Sequence, residues 1–132
     1  MRGEAAFFDT NVLIYAFVDD PRAQVAENLL RERGVTGVQN LNEFAAVALR
    51  KIRMPWEKVL EALTDIRIFC RRVEPVTLET HEAALRIAER YRYHIFDALV
   101  IAAAQQASCS TLYSENMRSG QSIEGLTISN PF

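Results

Sequence analysis

The chain has 132 residues, the size of one ordinary domain with little left for a second. Apolar residues make up 49% and charged residues 24%, the balance of a soluble globular protein with a real core. The net charge of −2 argues against a strongly basic nucleic-acid-coating protein and leaves room for a basic patch beside an acidic cleft.

AFF (6–8) is a short apolar run that stops at Asp9-Thr10-Asn11. NVLIYAFV (11–18) fits a strand or a helix, and Asn11 is placed to cap a helix starting there. DDPRAQVAENLLRER (19–33) predicts a helix with Asp19 or Asp20 as cap and Pro21 in its first turn. Val25, Ala26, Leu29 and Leu30 share a face, and Gly34 ends the helix. VTGVQN (35–40) predicts a second strand. LNEFAAVALRKIR (41–53) predicts a helix with a Leu41/Ala45/Ala48/Ile52 stripe.

Pro55 opens another predicted helix, in which Val59, Leu60, Leu63 and Ile66 are expected inside. In the hairpin 41–70, Phe44, Trp56 and Phe69 serve either as core or as a partner groove, with Phe69 read as core. VEPVTL (73–78) is a strand or an extended link. THEAALRIAERYR (80–92) is an amphipathic helix. FDALVIAAAQQA (96–107) is apolar on nearly all sides and reads as a buried helix. STLY (110–113) and LTIS (126–129) are the last strands. Helices alternating with short apolar strands favour a three-layer α/β/α arrangement, a parallel sheet covered on both faces.

Several classes drop out. Neither a G-x-G-x-x-G nor a G-x-x-x-x-G-K phosphate loop occurs. Cys70 and Cys109 are far apart and flanked by apolar residues, which predicts buried, reduced thiols. The chain reaches charged Asp9 too early for a signal peptide, and no apolar run approaches the ~18 residues of a membrane span, so a cytoplasmic protein is expected. Apart from Lys51 and Lys58 the basic residues are all arginine, which suits phosphates and carboxylates but also follows from compositional bias. His81 and His94 have no ligand spacing and read as surface or interhelical residues.

In an open parallel sheet, ligands bind beyond the carboxyl ends of the strands. Asp9 follows the first strand and points there, although it could equally end the strand and cap a helix. Asp97 opens the most apolar helix. It either complements the helix N-terminus or answers to a metal, because a buried charge needs a partner. Glu43 closes a capping-box pattern, Asn40-Leu41-Asn42-Glu43, or faces a cleft walled by Ala46 and Val47. Together the three describe an acid cluster that repels itself without a cation. Oxygen donors without a Cys/His set select Mg²⁺ or Mn²⁺ over zinc.

FFDTNVLIYA with Asp9, NEFAAV with Glu43, FDALVIAAA with Asp97 and LYSEN near the end resemble the PIN-domain ribonucleases, most of all the VapC-type toxins of bacterial toxin–antitoxin pairs. The resemblance spans nearly the whole chain, read as one domain, 1–132. It implies a PIN-like α/β/α sandwich, Mg²⁺- or Mn²⁺-dependent cleavage of RNA, a homodimer and a cognate antitoxin that blocks the cleft. Its first three acids carry over onto Asp9, Glu43 and Asp97. Ser114 matches a hydroxyl residue near the metal, and Asn11 an asparagine that orients the site.

The fourth acid departs from the pattern: similar sequences read S-E-D where this chain has Ser114-Glu115-Asn116. Asn116 keeps a carbonyl ligand and loses the charge. Asp9 and Asp97 are therefore expected to hold one ion well, with a second weak or absent. Glu115 is expected to point away from the site. The alternative is a weakened PIN-fold module that grips RNA or an antitoxin without cutting. A phosphotransfer or dehalogenase-type enzyme with Asp9 as nucleophile fits less well, because Asn11 stands where its second acid belongs and no lysine lies in a late strand.

Overall fold

Short apolar runs form the middle of a sheet, and their alternation decides which helices cover which face. The protein is described by a computed structural model over residues 5–132. Among these residues the strands are β1 (Ala6–Phe8), β2 (Val35–Gly37), β3 (Arg72–Glu74), β4 (Thr111–Tyr113), β5 (Ser122–Ile123) and β6 (Leu126–Ser129), in spatial order β3-β2-β1-β4-β6-β5. All neighbouring pairs are parallel except β5–β6. The sheet is thus mixed, with one antiparallel edge that the sequence reading lacked. β5 has only two residues, too few to show a period of two.

Successive strand residues face opposite sides. Phe7, Val35, Leu112 and Ile128 pack with α5 (Leu78–Tyr91) and α6 (Ile95–Gln106). Phe8 and Tyr113 face the other layer with α1 (Thr10–Tyr15), α2 (Ala23–Arg31), α3 (Val38–Arg50) and α4 (Trp56–Phe69). This is the expected three-layer α/β/α sandwich. The apolar helix 96–107 is α6, begun one residue earlier, and six of its residues from Ala98 to Ala104 are buried.

Several boundaries differ from the sequence reading, each for a local reason. α1 is capped by Asp9, whose side chain accepts the Thr10 N–H, and not by Asn11. α2 starts at Ala23, because Asp20 grips Arg22 instead of capping a helix at Pro21. Val25 in α2 is exposed, while Ala26 and Leu30 are buried. β2 stops at Gly37 and α3 begins at Val38, three residues before the predicted start. Asn40 therefore lies inside the helix, buried, and the capping box predicted for Glu43 does not form. A Cβ at Gly37 would stand 3.0 Å from Asn40 Oδ1 and 3.2 Å from the Phe7 ring.

On α4 the buried residues are Val59, Ala62 and Ile66. Leu60, expected inside, lies off that stripe and is exposed, as are Trp56 and Phe69. Phe69 closes the last turn beside Cys70, so the core reading of it fails. α5 starts at Leu78 with a reciprocal Thr77–Thr80 capping box, not at Thr80. Cys70 and Cys109 are free and buried, and burial pushes both thiols up to about 11. Among the described residues no helix is long and apolar enough to cross a membrane.

Candidate active site

The chain leaves β1 toward β2 and β3 on one side, and β4 and β6 lie on the other. The carboxyl ends of β1 and β4 therefore flank a topological switch point, where adjacent connections depart to opposite sides and leave a crevice. Asp9 follows β1 and Ser114 follows β4. The crevice is a cleft of about 340 Å³ lined by Asp9, Glu43, Phe96, Asp97, Glu115 and Asn116, among others.

Asp9 sits at the floor and is 6% exposed. Its Oδ1 accepts the Thr10 N–H at 2.7 Å and the Asn40 amide at 3.2 Å, and its Oδ2 accepts the Ser114 hydroxyl at 2.7 Å. A carboxylate has about four acceptor sites, so among the described residues about one remains, on Oδ2. Burial is the main cause that pushes the Asp9 carboxyl up to about 6. The Ser114 and Thr10 hydrogen bonds pull it down, and the charges of Glu43 and Asp97 push it up again. Burial thus accounts for most of the rise, and the two neighbouring acids add to it.

Glu43 reaches the cleft from α3. The Asn40 amide also donates to Thr10 Oγ1 at 3.1 Å, and the Thr10 hydroxyl donates to Glu43 Oε1 at 3.0 Å. Asn40 and Glu43 are one helical turn apart, so both meet the start of α1. Asp97, half-buried in the first turn of α6, is pushed up mainly by burial, with His94 pulling it down. Asn11 pins the loop after β4: its Oδ1 accepts the Glu115 N–H at 3.1 Å and its Nδ2 stands 3.5 Å from Ser114 Oγ. Ser114 Oγ in turn accepts the Asn116 N–H at 3.2 Å.

Glu115 does not turn away as expected. It lines the cleft, held by the Arg22 guanidinium at 2.7 Å and by the Tyr15 hydroxyl at 2.6 Å. Arg22 stacks over the Tyr15 ring at 4.0 Å and also grips Asp20 at 2.8 Å. That pair draws Asp20 down to about 2 and pushes Arg22 further up. So Glu115 carries its own counter-charge, whereas Asp9, Glu43 and Asp97 have no arginine or lysine among the cleft-lining residues.

The donor set is oxygen only, with no His or Cys on the cleft wall. Among the described residues no three His, Cys, Asp or Glu side chains close up into a group that could hold a metal ion. The expected acid cluster is thus an open, acid-lined cleft. One or two carboxylates with water completing the shell is an arrangement Mg²⁺ accepts, so the residues fit a hard divalent ion and would not suit zinc.

The PIN domain family model matches residues 6–118, from β1 through the loop that holds Asn116. The chain belongs to the PIN-domain family. No curated protein sequence matches it. Solved structures similar to this PIN domain include VapC20 of Mycobacterium tuberculosis, described as a toxin that cleaves the sarcin–ricin loop. It is 21% identical, with TM-score 0.68, over 85% of this chain and 90% of that one. A toxin–antitoxin complex from Klebsiella pneumoniae is 18% identical with TM-score 0.75, over 97% and 98% of the two chains. DNA-bound VapBC from Salmonella typhimurium is 17% identical with TM-score 0.69, over 98% and 99%. At such identities the likeness speaks for the fold.

Within this PIN domain, the sequence pointed to Asp9, Asn11, Glu43, Asp97, Ser114 and Asn116, and all six meet at or beside the cleft. It missed Thr10, Asn40, Tyr15 and Arg22. Asn40 stands one turn before Glu43, a spacing that could have flagged it. Arg22 and Tyr15 meet Glu115 across more than ninety residues of chain, which no local pattern signals.

Proposed function

We propose that the chain is a Mg²⁺- or Mn²⁺-dependent endoribonuclease of the VapC type, working as a single domain over 1–132 and restrained by a cognate antitoxin. The observation that carries this reading is the convergence of Asp9, Glu43 and Asp97, from three separate elements, on one cleft at the switch point of a PIN fold. Family membership supports nuclease chemistry and a divalent cation. The VapC neighbours support the toxin class.

In this reading Asp9 and Asp97 hold the cation, and Asn116 offers a neutral carbonyl. A bound divalent ion supplies charge for the scissile phosphate and a lowered pKa for a water. Ser114, Thr10 and Asn40 hold the Asp9 carboxylate in one orientation. Glu43, fixed through Thr10, positions or deprotonates the attacking water. Arginines outside the cleft bind the RNA backbone.

The partner surface in this reading is the exposed apolar flank of α4 around Trp56 and Leu60, with Phe69 about half a turn further round the helix. A small pocket beside it is lined by Phe17, Leu30 and Phe69. The toxin–antitoxin complexes among the structural neighbours support an antitoxin as the partner. The homodimer and the cytoplasmic setting rest on the family resemblance.

The test is cleavage of structured RNA by the purified protein with Mg²⁺ or Mn²⁺. Asp9→Asn and Asp97→Asn should each abolish it, and a chelator should do the same; full activity in either variant removes the mechanism. A second reading is favoured by Asn116, the neutral residue where a fourth acid is expected: the fold grips RNA without cutting. Metal-dependent binding with no cleavage by the wild-type chain would establish that reading instead.

A further inference from the structure

Phe96 is 51% exposed, yet it is one of the residues that line the acid-walled cleft. It stands next to Asp97 at the start of α6. An aromatic ring half in water costs hydrophobic free energy unless something covers it, and here it forms the lip of a site rather than an isolated surface residue. The His94 ring stacks on it, with centroids 5.5 Å apart and planes 28° apart. His94 Nδ1 also accepts the Phe96 N–H, so ring and backbone are tied together at the helix start.

The turn that carries this pair is itself anchored. Arg118 donates to the carbonyls of Tyr91 and Arg92 at 2.8 and 3.0 Å and lies over the Tyr93 ring at 4.5 Å. Arg118 belongs to the loop that holds Asn116, so the α5–α6 turn and the far wall of the cleft are fastened to each other. The aromatic lip is therefore held in place rather than left to swing.

We propose that Phe96, backed by His94, is a stacking platform for an unpaired nucleobase of an RNA strand whose phosphate lies in the adjoining acid cleft. This rests on the nuclease reading of that cleft and adds to it a residue outside the acid cluster that positions the RNA strand at the cleft lip. Bases of unpaired RNA stack on aromatic side chains, and such stacking tolerates any base because each has a π-face. A duplex keeps its bases stacked on each other and offers no free face to a ring at the cleft edge.

The experiment compares wild type with Phe96→Ala, Phe96→Leu and Phe96→Trp. Binding of a short random-sequence single-stranded RNA is read by fluorescence anisotropy in Ca²⁺. Quenching of 2-aminopurine placed in that RNA is read alongside, and cleavage is followed in Mg²⁺. Phe96→Ala and Phe96→Leu should bind about tenfold more weakly, raise KM with kcat largely kept, and lose the quenching, while Phe96→Trp retains both. Because the ring is half exposed, all three variants should melt with the wild type. Wild-type affinity and quenching in the Leu variant would overturn the platform while leaving the nuclease reading intact. So would a wild type that prefers continuous duplex. A wild type that neither binds nor cleaves RNA would overturn the nuclease reading, and the platform with it.

Discussion

The Asn40 side-chain nitrogen donates to both Asp9 and Thr10, at 3.2 and 3.1 Å, from a fully buried position. One amide thus sets the carboxylate at the cleft floor and, through the Thr10 hydroxyl, Glu43 as well. Replacing Asn40 with Ala should cost about 1–3 kcal/mol of stability, the usual penalty for stripping a partner from buried polar groups. Activity should fall at least about tenfold in kcat, since Glu43 and Asp9 both lose their support. Denaturant melts and single-turnover cleavage check the two effects separately. Unchanged kcat would show that Asn40 only supports the fold.

Asp9 gives a pH signature with a definite sign. Its folded value of about 6 lies above the ordinary 3.8, so without metal the folded chain holds this proton more tightly than the unfolded chain. The stability gained from that proton is complete below about pH 4 and is lost as pH rises through about 6, a change of order 3 kcal/mol. Metal-free Asp9→Asn should lack this slope and be more stable than wild type near neutral pH. Thermal melts of both proteins in a chelator across that window decide it.

The same titration predicts a metal response. A cation held by Asp9 would compete with the proton, so Mg²⁺ or Mn²⁺ should raise the melting temperature more at about pH 7.5 than at about pH 5. The difference should vanish in Asp9→Asn. An equal shift at both pH values in the wild type would place the ion elsewhere.

Asn116 predicts a count. Calorimetric titration with Mn²⁺ should show one well-held ion, because two ions stand ~3.5–4 Å apart and need the extra carboxylate to offset their repulsion. Asn116→Asp should add a second binding event and raise cleavage. Two tight sites in the wild type would contradict this.

Arg22 pairs directly with Glu115 on the cleft wall. Arg22→Gln should leave Glu115 uncompensated and strengthen Mn²⁺ binding several-fold. The loss of stability should stay below about 1 kcal/mol, since both side chains are partly exposed. Titration calorimetry beside a denaturant melt measures both.

Much of this arrangement could be read from the chain alone because its signals are local. The AFF run followed by Asp9, and the apolar 96–107 segment opened by Asp97, place a strand end and a helix start whatever surrounds them. Asn40 has a local signal too, its one-turn spacing from Glu43, but a competing pattern hides it. Asn-Leu-Asn-Glu satisfies the pattern of a helix cap, and only packing against α1 draws the helix start back to Val38. Glu115 was misjudged for a related reason. Strand alternation does not reach past Tyr113, where β4 ends and Asn11, Tyr15 and Arg22 fix the loop instead.

Gly37 has an ordinary extended backbone, φ −119°, that any residue could adopt. What is short there is room: a first side-chain carbon would press on the Asn40 amide oxygen and on Phe7 at the same time, and both would have to give by a few tenths of an ångström. An alanine at this position would add no charge and touch no acid, yet the nudge would pass through Asn40 to Asp9 and Thr10 together. The missing side chain at Gly37 thereby leaves room for the amide that holds a carboxylate Gly37 itself does not touch.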